Sequence, residues 1–441
     1  MFSLHVYQQR RDRLKALMPD KSLAIISAAH EIVRNRDAEY PFRQSSDFWY
    51  LTGFTEPDAV LMIGPNQPDR LFVRPKNPDQ EVWTGRRLGP ENVETQLGID
   101  EGFPIDALDA ELGRLLMDVV WLEYPFQCMQ SSAIVDQAIK SKSIKSRRQD
   151  LLSHRADLSR HLHQARLIKS DEEITAMREA GRISALGHVA AMQACQPGMT
   201  EDQLASIVEH CFRMEGSPAV AYQTIVGGGD NACILHYIDR SDRLQDGDLV
   251  LIDAGCEVHG YAGDITRTFP INGSFSSAQA ELYDVVLSAQ AEAIQAMVVG
   301  NSIKQFHEAA LRRLTEGLID LNIIEGSVES ALEEKRYLPY YMHGTGHFLG
   351  LDVHDVGAYE DDGQPVRLSE GMVITCEPGL YIDQRSDAPE RYRGIGIRIE
   401  DDILVTDTGP VVLTAEIPKS IEDVEGITGR SPLPETEIFR Q

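Results

Sequence analysis

The chain has 441 residues, 42% hydrophobic and 25% charged, a balance ordinary for a globular protein that excludes wholesale disorder, collagen and a coiled-coil rod. Asp and Glu number 69 against 42 Lys and Arg, and the resulting charge of −27 repels phosphate backbones, so nucleic acid is not an expected partner. No stretch approaches the roughly 18 apolar residues of a membrane helix, and at ~100–200 residues per domain two or three domains fit.

The first residues lack the apolar core of a secretory signal, because Asp12, Arg13 and Lys15 follow at once; Arg10-Arg11 reads as a solvated helix face. Ala59 to Ile63 is strand-like, and Ile105 to Trp121 has a helical pattern. The basic, Ser-rich stretch from Lys140 to Arg148 reads as an exposed loop or helix end. Ser170-Asp-Glu-Glu173 has the form of a capping box, and the helix it opens should stop at Gln196-Pro197-Gly198. These signals divide the chain into an N-terminal domain, 1–168, and a second domain, 169–441. The six cysteines form no C-x-x-C pair, which argues against a zinc knuckle or thioredoxin-type site and points to a reduced, cytoplasmic interior.

The second domain repeats itself. Residues 191–204 echo residues 293–306: in each a helix stops at a glycine (Gly198, Gly300) and a hydroxyl residue (Thr200, Ser302) caps the next. Residues 243–255 echo 367–379 as a turn, a buried strand, one carboxylate and a glycine. The carboxylates are Asp253 and Glu377, and each unit supplies a second acid further on, Asp264 and Glu400. The repeat predicts a pseudo-two-fold arrangement with four acids converging where the halves meet.

Asp253 and Glu377 end apolar runs, and four acids brought together repel one another unless cations neutralise them; two divalent ions balance the charge. Carboxylates favour hard cations, and one imidazole shifts the preference toward Mn, Co or Zn. Three histidines crowd one glycine-containing segment, His343, His347 and His354, and His343 and His347 share a face if that segment is extended. A fourth, His236, is expected on a strand entered through the Gly227-Gly-Gly-Asp230 turn, which has no Gly-Lys-Ser/Thr sequel and is not a phosphate loop. Arg398 lies two residues before Glu400, on the same strand face, placed to orient carboxylates or to form a structural salt bridge.

These residues carry a resemblance. Leu251-Ile-Asp253-Ala-Gly, Gly263-Asp264-Ile-Thr-Arg-Thr, His343-Gly-Thr-Gly-His347, Val353-His354-Asp-Val-Gly, Glu377-Pro-Gly and Ile397-Arg-Ile-Glu400-Asp resemble the bacterial aminopeptidase P (Xaa-Pro aminopeptidase) family of pita-bread metallopeptidases. The segment from Tyr40 to Phe54 and Trp83-Thr-Gly-Arg-Arg87 extend the likeness over nearly the whole chain. The resemblance implies an α/β (α+β) fold, with a mixed α/β N-terminal domain and a C-terminal domain of helices around curved antiparallel sheet. It implies two divalent metal ions, usually Mn²⁺, held by Asp253, Asp264, His347, Glu377 and Glu400, with Asp264 and Glu400 bridging. It makes His236, His343 and His354 outer histidines that contact substrate, a peptide with proline at its second position. Relatives are commonly homo-oligomers, tetramers above all, and Trp83 and Asp37 are candidates to border a neighbour's site.

In the mechanism so implied, paired cations orient a hydroxide toward the carbonyl before proline. Glu377 carries the proton to the leaving nitrogen, while His343 and His354 steady the oxyanion and the next carbonyl. A prolidase, cleaving Xaa-Pro dipeptides, shares the metal motifs; the Tyr40–Phe54 segment and the length favour the aminopeptidase. A non-catalytic pita-bread binding module would lack the full ligand set.

Overall fold

The computed structural model describes residues 2–145 and 154–431. Within them the chain forms two compact units, Met1–Ala165 and Arg166–Gln441. Of the basic stretch, Lys140 to Lys145 ends the helix Met129–Lys145, and 146–148 lie outside the described residues.

The first unit is built on a six-stranded mixed sheet. Ser22–Ser27 lies inside it, antiparallel to Val60–Ile63 and parallel to Trp121–Tyr124. All six residues of Ser22–Ser27 are buried, as expected of a strand covered on both faces. The helical reading of Ile105 to Trp121 holds only for its middle. The α-helix is Leu108–Leu115, and Trp121 opens a strand, because Val119-Val120 favours extended backbone and Ser22–Ala24 offers a ladder to join. The Arg10-Arg11 pair is also corrected: both side chains are buried. Arg11 pairs with Asp69 at 2.8 Å and donates to the carbonyls of Leu51 and Gly98, so its charge is neutralised from across the unit. Trp83, in the helix Pro78–Thr84, is 87% exposed.

The second unit carries the repeat. The helix Asp171–Ala194 opens on the expected box: the Ser170 N–H donates to Glu173 Oε2 and the Glu173 N–H to Ser170 Oγ. The helices Glu201–Met214 and Ile303–Asp320 begin alike, with Gln203 and Gln305 turning back to the N–H of Thr200 and Ser302. The echo continues in the backbone. Gly198 N–H bonds Leu244 O, and Gly300 N–H bonds Leu368 O; Arg243 and Arg367 then reach the carbonyls of Gly198 and Gly300.

Each repeat next contributes a three-stranded antiparallel sheet. One runs Ile225–Gly228, Leu249–Asp253, Thr266–Pro270; the other runs Val373–Cys376, Asp401–Thr406, Gly409–Val412. A hairpin of Gly379–Ile382 with Ile395–Arg398 lies in sequence between the first two strands of the second sheet. Helices cover the sheets: Ile183, Met192, Leu204 and Phe212 pack with Val250, Ile252 and Phe269, while Leu282, Val286 and Leu314 pack with Leu380 and Ile397. Full burial of such side chains contributes about 1.5–3 kcal/mol each. The halves are stitched where Glu400 N–H meets Thr266 O and Arg267, fully buried, pairs with Asp401 at 2.7 Å.

Candidate metal centre

The second unit encloses a cavity of about 570 Å³. Asp253 ends the strand Leu249–Asp253, and Asp264 precedes Thr266–Pro270 by two residues. Glu377 follows Val373–Cys376 directly, and Glu400 directly precedes Asp401–Thr406. Cys376 is registered with Asp401, so one step further the antiparallel ladder sets Glu377 opposite Glu400. All four acids and His347 face the cavity, as do His236, His343, His354 and Arg398.

Two glycines of the motifs are required by close approach. A Cβ on Gly346 would lie 2.0 Å from the Thr375 carbonyl oxygen, and one on Gly255 would lie 1.7 Å from that of Gly263. The first approach lets the His343–His347 segment lie on Val373–Cys376, with Thr375 N–H bonded to His347 O and His347 N–H to Thr375 Oγ1.

Donor atoms of Asp264, His347 and Glu400 lie within 4.8 Å of one another. His347 Nε2 is 3.5 Å from Asp264 Oδ2 and 3.6 Å from Glu377 Oε1. Its Nδ1 lies 3.0 Å from the Phe348 carbonyl, which can only accept; this holds a proton on Nδ1, so that the neutral ring turns the lone pair of Nε2 to the acids, the tautomer a metal ligand needs. Tyr222 OH lies 2.6 Å from Asp253 Oδ1 and 2.5 Å from Asp264 Oδ1. A phenol has one proton, so the second contact is favourable only if an aspartate carries a proton too.

The electrostatics agree. Burial pushes the Glu377 carboxyl up to about 7, with Asp264 and Asp253 adding to the rise against His347 and Arg398. Burial and the neighbouring acids push Glu400 well above the carboxylate range, and burial raises Asp253 against the pull of Arg398. Burial would lower His347, yet Asp264 and Glu377 raise it to about 9. Without cations this cluster relieves its repulsion by holding protons. The donor set, four carboxylates and an imidazole with its tautomer fixed, fits divalent metal.

Around this core, Arg398 Nη2 holds Asp253 Oδ2 at 2.7 Å and Arg398 Nη1 reaches Tyr381 OH at 3.0 Å. Tyr381 OH lies 2.8 Å from His343 Nε2, and His343 Nδ1 lies 2.7 Å from the Gly344 carbonyl. Both ring nitrogens of His343 are therefore engaged, and burial beside Arg398 drives it down to about 3, so it is neutral. The His354 ring stands nearly perpendicular to that of His347, centroids 4.4 Å apart. His236 is not on a strand. The strand stops at Gly228, residues Gly229–Cys233 form a 3-10 turn, and His236 sits in the turn after it, because the Gly-rich start and Asp230-Asn231 break the ladder.

Three polar neighbours escaped the sequence reading. Thr266 Oγ1 donates to Glu400 Oε2 at 2.6 Å and accepts from Arg398 Nε, and Thr375 Oγ1 lies 3.4 Å from Glu377 Oε1. Both threonines stand two residues from an acid on a strand, so the period of two could have found them. Tyr222, the third, precedes its strand with no such signal.

The family model for metallopeptidase family M24 matches residues 175–407, and that for the aminopeptidase P N-terminal domain matches residues 7–121. The chain is 46% identical over 425 residues to the Xaa-Pro aminopeptidase of Haemophilus influenzae, with 96% of each chain covered. Among solved structures it is similar to proline aminopeptidase P II from Yersinia pestis, at 45% identity and a TM-score of 0.94 over 97% of this chain and 99% of that one. It is similar also to aminopeptidase P from Escherichia coli with the inhibitor Pro-Leu, at 42% identity and 0.94 over 97% and 98%. The chain belongs to metallopeptidase family M24 and carries the N-terminal domain of aminopeptidase P.

Proposed function

We propose that the chain is an Xaa-Pro aminopeptidase, hydrolysing the bond between an N-terminal residue and a following proline. The observation that carries the reading is the convergence of four carboxylates and one correctly turned imidazole on a cavity whose remaining lining includes Ile225, Leu235, Ile238 and Val353. Asp253, Asp264, His347, Glu377 and Glu400 would hold divalent metal, and an oxygen-rich set with a single imidazole suits two Mn²⁺ ions. Bound there, the cations supply Lewis-acid activation of water and of the scissile carbonyl.

The chain's own groups do the rest. Glu377 takes the proton from the attacking water on a carboxylate oxygen and returns it to the prolyl nitrogen, which leaves poorly unless protonated. His354 and His236 present ring N–H groups to substrate carbonyls. His343, joined to Arg398 through Tyr381, can donate to substrate only by exchanging a present partner, so it first fixes Tyr381 and Arg398 against Asp253. The apolar lining packs against the proline ring and keeps water off it.

A homo-oligomer, tetramer or dimer, is part of the proposal. Val82 and Trp83 expose adjacent large apolar side chains on the first unit, and Trp83 and exposed Asp37 would border a neighbour's site. A cytoplasmic setting accords with six unpaired cysteines; among the described residues no helix is long and apolar enough to cross a membrane.

The test is a Mn²⁺-dependent assay on a tripeptide with proline second, the same peptide with alanine second, and the Xaa-Pro dipeptide. Cleavage of the first alone supports the reading. Preference for the dipeptide would make the protein a prolidase, and cleavage of neither refutes the peptidase reading.

A further inference from the structure

His236 projects toward the cavity, yet its ring has no hydrogen-bond partner among the described residues. Its direction therefore depends on the backbone that carries it. Residues 234–242 belong to no helix or strand. What closes this loop is one side chain, Glu201, in the first turn of the helix Glu201–Met214 and fully buried. Its Oε1 accepts from Gly228 N–H at 2.9 Å and Asn231 Nδ2 at 3.0 Å. Its Oε2 accepts from Asp242 N–H at 3.0 Å and Tyr237 OH at 3.1 Å. The Glu201 N–H in turn donates to Asp242 O. Both ends of the segment 228–242 and two points within it thus meet on a single carboxylate.

Tyr237 ties this hub to the site. Its ring is buried with Ile225, Leu251 and Tyr381, and its hydroxyl ends on Glu201. Its neighbours His236 and Ile238 both line the cavity. His236 and Ile238 are the chain neighbours of Tyr237, so fixing its ring between the apolar cluster and Glu201 fixes the backbone from which both project. Leu235, one residue earlier, is held through its carbonyl by Arg398 Nη2 at 3.4 Å. Glu201 touches none of the expected metal ligands, so its effect on the site runs through residues that meet substrate.

We infer that Glu201 is a positioning residue: through Tyr237 it aims His236 and sets the Leu235–Ile238 wall, and so governs the grip on the residue after the scissile bond. The inference rests on the Xaa-Pro aminopeptidase reading. Glutamine at this position would turn an NH₂ toward one pair of donors whichever way the amide faced, and would leave those donors unsatisfied in a buried place.

The experiment compares Mn²⁺-loaded wild type, Glu201→Gln, Tyr237→Phe and the double variant on tripeptides with proline or alanine second. Glu201→Gln should raise KM for the proline peptide about tenfold and shrink the proline-over-alanine preference by a similar factor. Its kcat should stay within about threefold and its Mn²⁺ per chain should be unchanged. Tyr237→Phe, which stays informative if Glu201→Gln fails to fold, should shift KM the same way by about threefold. The double variant should be no worse than Glu201→Gln alone, because the hydroxyl acts through the carboxylate. Lowered thermal stability with unchanged KM and preference in both single variants would make Glu201 a purely structural group and overturn the inference. Loss of Mn²⁺ and kcat together at constant KM would overturn it as well. Wild-type protein that leaves the proline peptide uncut refutes the activity and this inference with it; wild-type cleavage beside unshifted variants refutes this inference alone.

Discussion

Asp401→Asn probes the joint on which the site depends. Asp401 Oδ1 accepts from Arg267 Nη2 at 2.7 Å and Thr414 Oγ1 at 2.8 Å; Oδ2 accepts from Lys419 Nζ at 2.7 Å and Gln290 Nε2 at 3.0 Å. Arg267 also donates to the Glu400 carbonyl, so the pair locks one expected bridging acid to the other half. Asparagine keeps the shape but removes the charge facing two cations. Breaking a buried pair from one side costs about 3–5 kcal/mol. Lys419 is 31% exposed and can rehydrate, whereas Arg267 has no exposure, so the loss should fall near the lower end, about 3 kcal/mol. Burial alone would raise Asp401, but Arg267 and Lys419 outweigh it and hold the carboxyl below its usual range. A depressed folded pKa gives stability that is complete above the unfolded value, about 3.9, and is lost as pH falls through the folded one. The gap between wild type and variant should therefore be constant near neutrality and narrow below about pH 4. Trp49, Trp83 and Trp121 all lie in the first unit, so tryptophan emission reports the wrong place. Hydrogen exchange of the strands 266–270 and 401–406 reads the right one. A gap below about 1 kcal/mol, or one that persists unchanged into strong acid, would refute the argument.

Further expectations concern the acids and their neighbours. Metal-free protein should lose stability from about pH 6.5 to about 9, because His347 is raised to about 9 when folded against about 6.5 unfolded, so its contribution is complete below the lower value and gone above the higher. Saturating Mn²⁺ should abolish that decline in thermal melts, and a metal-free curve that rises across the window contradicts the cluster's electrostatics. Glu377→Gln should keep much of its metal and lose about 10³-fold in kcat; near-normal turnover removes Glu377 from proton transfer. Tyr222→Phe should weaken Mn²⁺ binding or activity about 10–100-fold, read by metal titration, and unchanged affinity with unchanged kcat would leave the phenol without a role in orienting Asp253 and Asp264.

What was legible in the sequence follows the range of the interaction. The repeat could be read because Gly198 and Gly300, Thr200 and Ser302 are local signals of helix ends; Asp253 and Glu377 could be read because each closes an apolar run, and Asp264 and Glu400 as the second acid of each unit. Arg398 was found two residues before Glu400 by strand period, and Thr266 and Thr375 lay open to the same rule. Burial of Arg11 was not legible, because the partner that permits it, Asp69, is 58 residues away. Tyr222 and Glu201 escaped for the same reason: their partners lie 31 and 42 residues from the first and between 27 and 41 from the second. The strand expected at His236 failed differently: the turn at residues 227–230 was legible, but it runs on into a 3-10 turn and a loop tied to Glu201 instead of entering a ladder.

The metal-free site is a set of placeholders. Arg398 answers Asp253, protonated His347 answers Asp264 and Glu377, and the Tyr222 hydroxyl stands between Asp253 and Asp264. Burial pushes Glu377 up to about 7, and burial and neighbouring acids keep the proton on Glu400 beyond its usual range. Ligands bind metal only deprotonated, so loading must expel these protons. His347, raised to about 9, and the raised Glu377 and Glu400 are the groups that hold them, so on the order of one to two protons should leave per chain at pH 7. Calorimetric titration with Mn²⁺ in two buffers of different ionisation enthalpy counts them directly. Release should fall as the starting pH rises toward 9, where His347 is already half deprotonated. Heats independent of buffer at pH 7 would mean that the acids meet the metal already bare, and that something other than His347 and bound protons holds them together beforehand.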